Sequence, residues 1–433
     1  MDYNLNKKNL NYKVLKIYKM TGFTLSSDTL HKNIKKLLPG EYLDINKKTK
    51  PISIKYKRYF LFYPTFSSLR DEKKLVKQLD EILSNICKRT ITRADGRTIQ
   101  VALSSGFDSK VLLGKFLELG YTKVETFSYG TKNNFEARSA QKIAKKLNVK
   151  WEFIDSKCSK NTIKSFYDGD LANYFFLNSG LVTTAAMTEI VALKRLLEKD
   201  KNKKNDIFVN GQTGDFITGG HIPNTKNKRK FFLKMFTKHF GLNPLESKKF
   251  GSIKIEKLFY SWCKNNLSGS KLKNLNLNSL AQVFEWQGRQ SNFIVQQQRA
   301  YDYLNLEWAL PFWDSELMDF YLNVPIEYQI NQKLYVNFIK RWNYKNIFDE
   351  LRPLPELWVK NKYLILLCGK LIEFIKNKDE KNNFYSKRKF ENSDLNHLYG
   401  FFNKKDYLLN YKKVRNPISL FNKHHLSNIK GLN

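Results

Sequence analysis

The sequence predicts an α/β protein built on a doubly wound parallel sheet, with helical additions and a small β-rich zone at its N-terminus. Two observations carry this. Between residues 73 and 345, short apolar runs of strand length alternate with amphipathic helical segments. The segments between those runs are long enough for crossover helices, so successive strands run parallel.

The elements follow in order. Residues 1–72 read as strand-like pieces, KVLKIYKM, LLPGEYLDI and ISIKYKRYF, with a tight turn at Pro39-Gly40. EKKLVKQLDEILSNICKRT is helical, TIQVALS a strand, SKVLLGKFLELG a helix and KVETFSYG a strand. FEARSAQKIAKKLN is a helix, KWEFID a strand, TTAAMTEIVALKRLLEK a helix and DIFVNG a strand. Beyond DIFVNG the chain reads as mostly helical. Residues 346–433 form a basic, mostly helical extension. The expected organisation is therefore 1–72, 73–345 and 346–433.

Composition excludes several classes. No run reaches the roughly 18 apolar residues of a membrane span, and the best candidate, Tyr363–Cys368, stops at Gly369 and Lys370. The N-terminus has no apolar core of signal-peptide length, so a cytoplasmic protein is expected. Cys87, Cys158, Cys263 and Cys368 are too scattered for metal or redox spacing. The net charge of +36 suits an anionic partner such as nucleic acid or a membrane surface. It is spread along a Lys-rich chain without an Arg-rich, aromatic-interleaved module, which also fits compositional drift.

The stretch VALSSGFDSKVLL, residues 101–113, carries the chemistry. A strand ends, and a helix starts near Asp108. In a parallel sheet this is the ligand-binding edge. Unpaired N–H groups at the helix start, with the helix dipole, suit a phosphate. Gly106 permits a turn and a close backbone approach. Ser104, Ser105 and Ser109 offer hydroxyls, and Asp108 suits Mg²⁺ on the phosphates. The alternative is an ordinary helix cap, since Ser and Asp open helices often.

SSGFDS resembles the pyrophosphate loop S-G-G-x-D-S of the N-type ATP pyrophosphatases, whose fold is adenine nucleotide α-hydrolase-like. Three further segments narrow the resemblance to the asparagine synthetase family with its β-lactam synthetase relatives. FEARSAQKIAKKLN, with Glu136, resembles the family's E-x-x-x-A-x-x-x-A-x-x-L helix. NGQTGDFITGG, residues 210–220, resembles G-[DE]-G-[SG]-D-E-L-F-G-G and keeps Gly211, Asp215, Gly219 and Gly220. LEWALPFWD, residues 306–314, resembles L-E-x-R-x-P-F-L-D. Arg299 falls where some members have the Arg of D-R-x-S-M.

The resemblance implies an AMP-forming amide ligase using ATP and Mg²⁺. A carboxylate attacks the α-phosphorus, pyrophosphate leaves, and an amine attacks the acyl-adenylate. By resemblance Asp108 and Asp215 bind Mg²⁺, while Ser104, Ser105, Gly106 and Ser109 cradle pyrophosphate near Gly211. Leu103 and Ser128 lie near adenosine through backbone contacts. Lys333 stabilises the transition state, and Glu307 and Gln212 belong to the catalytic set.

The pattern also breaks. Ser105 stands where the motif has glycine, Gln212 where it has an acid, Phe216 for the acid after Asp215, Ala309 for Arg, and Asn337 for a basic residue. A carboxylate at Gln212 could take the amine's proton, and an amide cannot. These changes point to an acid other than aspartate. Glutamine-dependent members start with a cysteine once the initiator methionine is removed, whereas Asp2 follows Met1 here. Residues 1–72 resemble only the end of the glutaminase domain, a remnant. No glutamine hydrolysis is expected, so ammonia, an amine substrate or a separate glutaminase supplies nitrogen. Two other readings stand beside this one: a pyrophosphatase-loop RNA-modifying enzyme, and a catalytically degenerate ATP-binding or scaffold protein of the same fold.

Overall fold

The computed structural model describes residues 5–65, 71–132, 134–225, 276–349, 400–402 and 417–429, with single positions at 227, 231, 235, 257 and 261. The N-terminal zone opens with α1 (Tyr12–Thr21), not with the strand expected for KVLKIYKM. Asn11 caps it through the Val14 N–H, and Gly22, at φ 79°, ends it. Val14, Leu15 and Tyr18 fall on one buried face against Leu181 and Leu426, a helical spacing that alternation alone hides. The next two pieces form the antiparallel hairpin β1 (Glu41–Asn46) and β2 (Ser53–Arg58).

After α2 (Glu72–Ala94) come β3 (Ile99–Ala102), α3 (Phe107–Glu118), β4 (Val124–Gly130), α4 (Phe135–Lys146) and β5 (Lys150–Asp155). Helices α5 (Lys160–Tyr167), α6 (Asp170–Ser179) and α7 (Met187–Lys199) lead to β6 (Ile207–Val209) and the short α8 (Gly214–Ile217). Helix α9 (Leu277–Glu285) runs into a π-helical segment, Trp286–Ile294. Then follow α10 (Arg299–Tyr303), β7 (Glu307–Ala309), α11 (Ser315–Asn323), α12 (Ile326–Gln329), α13 (Lys333–Trp342) and α14 (Pro417–Ser427).

The sheet is all parallel, in the order β5-β4-β3-β6-β7. Both faces are buried, which is why the strands are short apolar runs. Ile99, Val101 and Val209 join a core with α2, α3 and α4, while Phe127, Ile154 and Phe208 join one with α6 and α7. The fold is thus doubly wound, as expected. From β3 the chain first steps outward to β4 and β5, then returns across β3 to β6. Strand order reverses at β3, and a crevice opens at the strands' C-terminal ends there.

The N-terminal zone packs directly behind that crevice. Phe23 stacks on Phe293 at 5.7 Å, Phe62 meets Phe216 at 5.7 Å, and Phe60 meets Trp286 at 5.6 Å. Asn292 donates to the Thr24 carbonyl at 2.8 Å and accepts from Lys36. Helix α14 joins the same side, where Asn422 donates to the Tyr18 carbonyl at 2.8 Å. Most of the expected extension 346–433, including Tyr363–Cys368, lies outside the described residues. Among the described residues no helix is long and apolar enough to cross a membrane.

Candidate active site

A cleft of about 520 Å³ lies at the switch point, lined by the ends of β3, β4 and β6 and by the π-helical segment. Ser104, Gly106, Asp108 and Ser109 line it, together with Leu103, Ser128, Gly211, Gln212 and Asp215. Three of the four sequence motifs therefore converge, although they span more than a hundred residues.

Helix α3 begins at Phe107 with Gly106 as its N-cap, a residue with no side chain to cap it. The serines bond elsewhere. Ser109 Oγ accepts from the Ser104 N–H at 3.1 Å, and Ser104 Oγ accepts from the Gly106 N–H at 3.1 Å. The start of α3 thus faces an open cleft with no capping side chain from Gly106, a setting suited to phosphate. Gly106 sits at φ −69°, and an added Cβ would meet Ser104 Oγ at 3.2 Å, so the glycine serves close approach. One expectation needs correction. Ser105 is buried and does not line the cleft. Its φ is not positive, which is why serine replaces the motif's glycine without strain.

Leu103 and Ser128 meet where β3 and β4 reach the cleft. Ser128 Oγ donates to the Leu103 carbonyl at 2.7 Å and accepts from Trp151 Nε1 at 3.0 Å. The Leu103 N–H is used by the Phe127 carbonyl, so little of its backbone is left for a ligand.

Loop 210–220 folds down on Asp108. A Cβ on Gly214 would lie 2.7 and 2.8 Å from the two Asp108 carboxylate oxygens, and one on Gly211 would lie 2.8 Å from the Ser109 nitrogen. Only glycines allow this approach. Behind Asp108 stand the buried phenols of Tyr321 and Tyr335. Burial, then the Asp108 charge, holds both above the usual tyrosine range.

Thr213 was not foreseen. It lies at φ 72°, and the resembled motif has glycine at the matching position. A β-branched residue there is strained by on the order of 1–3 kcal/mol. Its buried Oγ1 has no hydrogen-bond partner. Thr213→Gly is expected to stabilise the fold by about 1 kcal/mol, read from the urea midpoint. A lower midpoint would show that the threonine side chain supports the loop.

Asp215 lines the cleft with its side chain 58% exposed, and His221 Nε2 lies 2.8 Å from its Oδ2. His221 Nδ1 contacts Glu285 Oε1 at 2.5 Å, and that oxygen also accepts from Gln290 at 3.1 Å and Arg289 at 3.3 Å. Burial opposes protonation of His221, but the two carboxylates outweigh it and raise the imidazole to about 9. Burial likewise opposes ionisation of Asp215, and the His221 contact outweighs it, so its carboxyl stays below the usual range. Arg289 and Gln290, also unforeseen, line the cleft from the π-helical segment. Such irregular turns are frequent at functional sites.

Gln212 is held by its neighbours. Its Oε1 accepts from Gln298 at 2.5 Å, and its amide donates to Gln297 at 3.5 Å. Gln298 accepts from Asn210 at 2.8 Å, Asn210 donates to the Tyr301 hydroxyl at 3.0 Å, and Tyr301 donates to buried Glu189 at 2.7 Å. A neutral amide fits this chain of amides better than a carboxylate, which could not donate to Gln297.

Two expected catalytic residues are not brought to the cleft. Glu307 pairs with Arg93 at 2.8 Å and Arg97 at 2.5 Å. Register sets it opposite Ile207, at the N-terminal end of the sheet. Lys333 is exposed, 4.9 Å above the Tyr328 ring. Its loop, with Asn331 and Gln332 at φ 57° and 60°, does pack on the glycine loop, where Gln332 donates to Thr218 Oγ1 at 2.6 Å. Arg299 donates to the Asn178 carbonyl, Asn337 to Glu72, and Phe216 is buried against Phe62.

A doubly wound parallel sheet with this cleft at its switch point places the chain among adenine nucleotide α-hydrolase-like proteins. The family model described as asparagine synthase matches residues 78–358, more than half of the chain, and the chain belongs to that family. It is a family of ATP-using ligases. Comparison with curated proteins gives no match.

Proposed function

We propose that the chain is an AMP-forming carbon–nitrogen ligase that adenylates a carboxylic acid and transfers the acyl group to ammonia or an amine. The observation that carries this is the start of α3 behind Gly106, opening on a cleft that also holds Asp108 and Asp215.

The residues fit Mg²⁺. Among the described residues there is no cluster of three or more His, Cys, Asp or Glu that could hold a metal alone. Mg²⁺ needs no such cage, because it keeps waters and takes phosphate oxygens beside one or two carboxylates. Asp108 and Asp215 would hold it, and it would supply charge neutralisation at the phosphates.

In the first step the acid's carboxylate oxygen bonds to the α-phosphorus and the bond to pyrophosphate breaks. The α3 N–H groups and the serine hydroxyls hold the departing charge. Lys333 would add its charge after leaving the Tyr328 ring. In the second step an amine bonds to the acyl carbon, AMP leaves, and the amine's surplus proton goes to solvent, since Gln212 cannot take it. Ammonia, an amine substrate or a separate glutaminase supplies the nitrogen.

The test is exchange of labelled pyrophosphate into ATP, with carboxylic acids supplied in pools. One pool should drive exchange, and Asp108→Ala and Asp215→Ala should each lower it on the order of 10³-fold. Exchange unchanged in both variants would overturn the site. ATP bound with no exchange from any pool would favour the degenerate, ATP-binding reading.

A further inference from the structure

We infer that the β1–β2 hairpin is a docking surface for an anionic lipid membrane. Among the described residues, seven of the eleven exposed large hydrophobic side chains lie in the segment from Tyr42 to Tyr59. Register sorts them. Leu43 faces Tyr56 and Ile45 faces Ile54 across the ladder, and alternation puts Ile52 on the same side. These five side chains are 39–57% exposed. The other face carries Tyr42 with Lys57 and Asp44 with Lys55, and Lys57 pairs with Asp44 at 2.7 Å.

An apolar sheet face normally rests on a core, and a two-stranded hairpin gains little stability by itself. Contiguous exposed apolar surface rimmed by polar groups marks an interaction site. The tip beside it is basic. Lys47, Lys48 and Lys50 occupy the turn, while Lys57 pairs with Asp44 on the opposite face and Arg58 pairs with Glu41. Aliphatic and tyrosine side chains beside lysines suit the headgroup boundary, where the former enter the acyl region and the latter meet phosphates.

Charge selects the occupant. A second copy would bring the same lysines and a further +36, so self-association through this face is opposed. An acidic protein would answer a local patch. The excess of 76 basic over 40 acidic residues is spread along the chain, which matches an extended anionic surface better. The hairpin then contributes apolar insertion, and the remaining surface contributes attraction within about 8–10 Å of the membrane.

The experiment is flotation of the full chain with vesicles of phosphatidylcholine alone and with added phosphatidylglycerol. The protein should float only with phosphatidylglycerol, and less so as salt rises. Ile45→Ser with Ile54→Ser should weaken partitioning about tenfold, with the melting curve unchanged. A polarity-sensitive dye on Ile54→Cys, read against the parent chain labelled identically, should shift to the blue on anionic vesicles. No flotation, equal flotation of the serine variant, or a dye that stays in water would each overturn the assignment. The second result would mean that diffuse charge alone does the binding.

Discussion

Gly214→Ala is expected to lower Mg·ATP affinity and pyrophosphate exchange about 10²-fold or more, although it removes no functional group. The new methyl carbon would sit within 2.8 Å of both Asp108 carboxylate oxygens. The carboxylate has little room to retreat, because Gly211 closes on the Asp108 backbone and Tyr321 and Tyr335 stand behind it. It must rotate away from the loop before α3. Binding of Mg·ATP by calorimetry, alongside Asp108→Ala, checks this. The two variants should be similarly impaired, and calcium or magnesium titration should show the same loss of metal dependence. Full affinity in Gly214→Ala would mean that Asp108 does not face the nucleotide.

The second large effect concerns stability. Glu189 is fully buried, and Tyr301 is its hydrogen-bond partner at 2.7 Å. Burial raises its carboxyl from 4.5 to about 7, and the Tyr301 hydrogen bond offsets only part of that. The native state therefore binds a proton that the unfolded chain has already released between these values. Stability from the neutral acid is complete below about pH 4.5 and is lost as pH rises through about 7. The loss amounts to roughly 3 kcal/mol. Glu189→Gln cannot ionise and still accepts from Tyr301. It should match the parent near pH 4 and exceed it by about that margin at pH 8. Urea midpoints across this range decide it; parallel curves for the two proteins would show that Glu189 is ionised in the fold.

The same residue shows where sequence reading stops. Glu189 sits in TTAAMTEIVALKRLLEK as one polar residue on an amphipathic helix, with nothing to separate it from a solvated glutamate. Its burial comes from α10 crossing α7 and delivering Tyr301. Arg289 and Gln290 were equally silent, since a π-helical turn shifts which side chains face the cleft. Thr213 could have been found, because it breaks a glycine position of the resembled loop.

What the sequence by itself determined is the layered α/β fold and the polar loop between β3 and α3. Both rest on local patterns, namely strand-length apolar runs, helical periodicity and a polar turn between strand and helix. Those patterns are set by backbone geometry within about a dozen residues. Only the tertiary structure decided the rest. It turned KVLKIYKM into a helix, because its partners Leu181 and Leu426 are far away in the chain. It sent Glu307 to the wrong end of the sheet for catalysis, because parallel register, not motif order, aligns it with Ile207. It also set Asp108 between Gly211 and Gly214, because a glycine's value lies in what approaches it, and that neighbour comes from another strand.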